Sequence, residues 1–156
     1  MRKLEHLTVA LAVVFTMTAL FACSSKQARQ QSGEQWHGRV YTTVGEGQFA
    51  EENSVANATM TRLPDYSVRA TLTLRGGLAA GSYPWHVHVG RCGSDGPILG
   101  NPDDYSPLVP SATEGQDNAT ARFEATLEPG AEYYVNVHES VEEIGNIVAC
   151  GNLEIG

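Results

Sequence analysis

His86 and His88 lie two residues apart in Tyr83-Pro84-Trp85-His86-Val87-His88-Val89. In an extended strand alternate side chains point to opposite faces. The two imidazoles therefore stand together on one face, while Trp85, Val87 and Val89 share the other. Neutral imidazole is a ligand for copper and zinc, and a His-x-His pair on a strand offers two ligands already fixed relative to each other. Alone, the pair is a weak signal and reads first as two histidines on the solvated face of an amphipathic strand. A third histidine changes the balance. His138 closes another alternating stretch, Tyr133-Tyr134-Val135-Asn136-Val137-His138, in which Val135 and Val137 mark one face and His138 the other. Three imidazoles turned away from a core are a candidate metal site.

Strands must position these histidines, since alternation with period two runs through most of the chain and no stretch of ten residues reads as a helix. Strands are predicted over 36–44, with Val40, Thr42 and Val44 in phase, over 54–63, and over 66–75, with Val68, Ala70, Leu72 and Leu74 facing the core. The His-x-His strand follows, then strands over 118–127, 132–138 and 146–153, with Gly, Pro and Asp turns between them. Seven short strands with turn signals predict an all-β fold: an antiparallel Greek-key β-sandwich or flattened barrel. The longest irregular segment, 90–116, comes directly after the histidine pair and begins near Cys92. It reads either as one wall of a site or as an inert surface loop stapled for stability.

Residues 1–22 read as a targeting segment: Arg2 and Lys3, then an apolar run from Leu7 to Ala22. The run ends in Leu20-Phe21-Ala22-Cys23, which matches the bacterial lipobox, so Cys23 is the expected lipidation site. A simple secretory signal or an uncleaved anchor are the alternatives. The cysteine count bears on this, because the chain has three cysteines and lipidation of Cys23 removes the odd one. Cys92 and Cys150 are then left to pair in an oxidising compartment. Residues 23–35, rich in Gln and Ser, read as the acylated cysteine and a flexible tether spanning about 20 Å, and residues 36–156 as one domain. The formal charge is −8, and removal of 1–22 takes Arg2, Lys3 and Glu5 with it and leaves −9. Such a chain is a poor partner for nucleic acid or anionic lipid. Its expected membrane contact is the acyl chains, and its expected place the bacterial cell envelope, on the periplasmic or extracellular face.

His86-Val87-His88, then Cys92-Gly93-Ser94-Asp95-Gly96-Pro97 with Asn101-Pro102, then Val137-His138, then Ala149-Cys150-Gly151 together resemble, in order, the copper-ligand and disulfide motifs of the copper/zinc superoxide dismutases. The resemblance covers roughly 81–153. It implies that His86, His88 and His138 hold one copper ion and that Cys92 and Cys150 form the family's disulfide. The departures are specific. Ile98 stands where the family's bridging histidine follows Gly-Pro, and no further histidine occurs before His138. Zinc is therefore not expected, and Asp103 and Asp104 do not make a closed zinc site alone. Ile147 stands where the family carries the arginine that draws superoxide to copper. The last third also resembles the CHRD domains, which have been compared to the same sandwich.

Three functions follow as alternatives: a lipid-anchored protein that binds one copper ion with weak or no dismutase activity, a copper-only dismutase, or a metal-free structural or interaction domain. The first implies a copper donor or acceptor protein as partner. His37 is expected at the surface and not as a ligand. Glu142 is read as a solvated turn residue rather than one that orients a ligand, and Tyr83, Trp85, Tyr133 and Tyr134 as packing residues.

Overall fold

The computed structural model describes residues 33–44 and 48–156. The expected targeting segment, Cys23 and nearly all of the tether lie outside the described residues. The described residues form seven strands: β1 (Gln35–Thr43), β2 (Phe49–Arg62), β3 (Ser67–Leu74), β4 (Trp85–Val89), β5 (Asp117–Glu124), β6 (Tyr133–His138) and β7 (Ile147–Ile155). A 3-10 turn, Pro102–Asp104, interrupts the loop after β4. All strand pairs are antiparallel, in one sheet of order β4-β6-β7-β1-β2-β3-β5 that curls into a half-barrel. The connections β3 to β4, β4 to β5 and β5 to β6 each cross from one end of this order to the other.

Alternation builds the core as expected. On β3 Val68, Ala70, Leu72 and Leu74 are buried, and on β5 Ala119, Ala121 and Phe123 continue the same inner face. At the other end Trp85, Val87, Val135 and Val137 supply it. Full burial of each large apolar side chain contributes on the order of 2 kcal/mol. Val44 departs from the pattern and is 60% exposed. The pairing of β1 with β2 shifts between Val40 and Tyr41 and again between Tyr41 and Thr43, so the expected phase is lost before position 44. The same irregular pairing joins Thr43 to Phe49, which is why β2 starts ahead of the expected 54.

Strand β4 is an edge of the sheet, and the loop that follows it covers that edge. Val89 N–H donates to the Pro97 carbonyl at 3.0 Å and Leu99 N–H to the Val87 carbonyl at 2.8 Å. An unpaired strand edge is thereby closed. Gly96 makes this approach possible, because a Cβ there would overlap the Val89 carbonyl.

Candidate metal centre

The register of β4 against β6 sets the outer row of side chains. His86 pairs with Asn136 and His88 with Tyr134, while Trp85 pairs with Val137 and Val87 with Val135 on the inner face. His138 lies one step beyond, its N–H donating to the Pro84 carbonyl at 2.8 Å. There the pairing of β6 with β7 shifts, between Val137 and His138. Bulges of this kind re-aim a side chain. As a result His86 Nδ1 and His138 Nε2 are 3.2 Å apart. The ligand atoms of His86, His88 and His138 all lie within 4.8 Å of one another, the one such cluster of His, Cys, Asp or Glu among the described residues.

The three histidines do face away from the core, but they are not solvated: they are 7%, 8% and 6% exposed. The loop after β4 covers them. It crosses the outer face of β6 and is tied to β7 by the Cys92–Cys150 disulfide, which spans 58 residues of chain. Beside that bond Cys92 N–H donates to Asn152 Oδ1 at 2.8 Å. Between these points the loop rests on Tyr134, whose hydroxyl accepts from Gly96 N–H at 3.0 Å and donates to the Ser94 carbonyl at 3.3 Å. Farther along, Tyr105 packs edge-on against both Trp85 and His86 and stacks on Phe123. Its hydroxyl donates to the Leu99 carbonyl at 2.7 Å. The loop thus reads as a wall of the site.

Hydrogen bonding selects the free nitrogen of His88. Its Nδ1 is 2.8 Å from the Gly96 carbonyl oxygen, which can only accept, so Nδ1 carries the proton and Nε2 keeps its lone pair. That Nε2 is buried without a hydrogen-bond partner, as are His138 Nδ1 and Asn136 Oδ1. Tyr134 stacks on the His88 ring at 5.0 Å and holds its plane. Buried polar atoms are ordinarily paired, so the orphaned His88 Nε2 and Asn136 Oδ1 point to a group that engages them; His138 Nδ1 lies across its ring from the Nε2 that faces His86.

Burial also keeps the rings neutral, the form in which imidazole coordinates a metal. Desolvation, with His138 and His88 alongside, pushes His86 down to about 4. His88 is lowered chiefly by burial, against the opposing pull of the Gly96 carbonyl. Burial likewise lowers His138, against the Ile144 carbonyl and with the help of His88. The 3.2 Å between His86 Nδ1 and His138 Nε2 is also the spacing of two nitrogens bound to one ion at about 2.0–2.1 Å in tetrahedral geometry. These residues fit a metal ion.

The remaining sequence candidates fall into place around this centre. His37 is exposed and outside the cluster. Glu142 is exposed in the turn between β6 and β7, and Asp103 and Asp104 are exposed in the 3-10 turn. Ile147, half-buried, pairs directly with His138. Trp85, Tyr133 and Tyr134 are buried and Tyr83 is partly so, as expected of packing residues. Sequence reasoning missed that Tyr134 also faces the site, missed Tyr105 and Asn136, and had Gly96 only as part of the Cys92-to-Pro97 motif, without its role. Asn136 carried a signal as a polar residue in phase with His138 between two valines, and Gly96 carried one as the glycine of the Gly-Pro motif. The chain matches no protein-family model and no curated protein.

Proposed function

We propose that this protein is exported, anchored by lipid at Cys23, and holds one copper ion through His86, His88 and His138, in the manner of a superoxide dismutase that lacks the zinc site. The observation that carries the reading is the convergence of three buried, neutral imidazoles, one of them with its Nε2 orphaned. For a given set of nitrogen ligands, Cu(II) binds more tightly than zinc or the other divalent first-row ions. Copper supplies a one-electron centre when bound. The chain's own residues do the rest: Gly96 fixes the tautomer of His88, Tyr134 and Tyr105 hold the imidazole planes, and the disulfide keeps the covering loop in place. Rings 6–8% exposed suit an ion received from, and passed to, a partner protein more than one open to bulk solvent.

A copper-only dismutase is the second reading, since three ligands leave a coordination position open. Two features oppose it. An apolar Ile147 stands beside His138, and the formal charge of −9 left after removal of 1–22 repels superoxide. Metal analysis by mass spectrometry of the detergent-solubilised full-length protein, grown with both copper and zinc, tests the primary reading. One equivalent of copper is the expected result, lost in large part in His86→Ala, His88→Ala and His138→Ala and kept in His37→Ala. Copper retained equally by all three histidine variants, or by none of the proteins, overturns it.

A further inference from the structure

We propose that the side-chain amide oxygen of Asn136 is a fourth donor to the three-histidine centre and biases it toward oxidised copper. The inference deepens the copper reading and rests on it. Asn136 is 4% exposed, and its Oδ1 is buried with no hydrogen-bond partner. Its position explains why no neighbour satisfies it. On one side it pairs with His86, on the other with Cys150, and its neighbours along the outer face of β6 are Tyr134 and His138. Cys150 is bound in the disulfide and has no proton to donate. The Tyr134 hydroxyl already spends its proton on the Ser94 carbonyl. His86 Nδ1 and His138 Nε2 are turned toward each other. Side chains directly opposed across an antiparallel pair have Cβ atoms about 4.5–5.5 Å apart, so Asn136 lies beside His86, on the same outer face as the three imidazoles. A cation held there is the group that its lone pair can meet.

An uncharged amide oxygen is a harder donor than imidazole nitrogen and favours Cu(II) over Cu(I). Valine at this position would leave no unpaired acceptor, so Asn136 lowers the stability of the metal-free protein and improves the site. A residue with a merely structural role has no reason to move both quantities in opposite directions.

The test compares the solubilised full-length parent with Asn136→Val and Asn136→Asp. Cu(I) is titrated anaerobically against a competing chelator and Cu(II) by electron paramagnetic resonance, and metal-free melting and the copper reduction potential are recorded. Asn136→Val should melt higher without metal, keep the parent's Cu(I) affinity and lose at least about tenfold in Cu(II) affinity. Its potential should then rise by about 59 mV for each tenfold. Asn136→Asp, which keeps an oxygen donor and adds charge, should lower the potential. Unchanged Cu(II) affinity and spectrum in Asn136→Val, with the parent binding copper, overturn the role of Asn136 and leave the three-histidine reading standing. A parent that binds neither ion overturns both. Should Asn136→Val not fold, a potential in Asn136→Asp that fails to drop overturns the inference.

Discussion

His88 Nδ1 lies 2.8 Å from the Gly96 carbonyl oxygen, and this one contact fixes which nitrogen of His88 is left for an ion. It exists because Gly96 has no Cβ to collide with the Val89 carbonyl. Gly96→Ala should therefore push the loop off β4 and free the His88 ring to rotate. Losing such an orienting partner lowers metal affinity about 10- to 100-fold. Competitive copper titration of the variant checks this, and parent-like affinity would contradict it.

The lowered histidine values move the pH dependence away from the ordinary imidazole range. Sequence alone suggests loss of affinity between about pH 6 and 7. With His86 down to about 4, and His88 and His138 lowered as well, copper should stay bound through that range and be displaced by protons only in more acidic solution. Stability of the metal-free protein follows the same sign. Below the unfolded value of 6.5 the unfolded chain takes up a proton that folded His86 refuses until about 4, so stability falls as pH drops through that window. The loss from His86 is on the order of 3 kcal/mol. Thermal melts of metal-free protein at graded pH measure it; a flat melting temperature across the window would refute it.

Cys92→Ala removes the crosslink that ties the covering loop to β7. The chain-entropy model assigns a loop of this length about 4 kcal/mol. Because the freed loop also carries Gly96, copper affinity should fall further than in a variant of equal stability cost placed on β3 or β5. Denaturant unfolding and copper titration of both variants compare the two losses.

Ile147→Arg places a cation beside His138, with which position 147 is paired. Dismutase activity of the copper-loaded parent should be weak and that of the variant higher. Added salt should shrink the gain, because screening weakens long-range attraction of an anion. A parent already near the diffusion limit would shift the reading from binding protein to enzyme.

Cys23→Ser should release the protein from the membrane fraction, since acylation is the proposed anchor. Fractionation followed by immunoblotting decides this. A variant that still sediments with membranes after signal cleavage places the anchor elsewhere.

Period-two alternation in residues such as Val68-Arg69-Ala70-Thr71-Leu72 was enough to read strands and an inner face, because a strand's side-chain direction is a local property of the backbone. The same local rule put His86 and His88 on one face and His138 on the outer face of its own strand, and with Cys23 expected to carry lipid, Cys92 and Cys150 were the pair that remained. Tertiary structure decided what alternation cannot encode. Whether three outward histidines meet depends on the register of β4 against β6 and on the shift at His138, and both are relations between strands far apart in sequence. Their burial depends on a long loop folding back over the sheet, held by Tyr105, Tyr134 and Gly96, whose partners no spacing rule specifies. Val44 was misread for the same reason: irregular pairing with β2 overrides the period of β1. Asn136 was visible in the sequence as a polar residue between valines, yet its unpaired oxygen is a fact about every neighbour around it, and only the assembled fold supplies those neighbours.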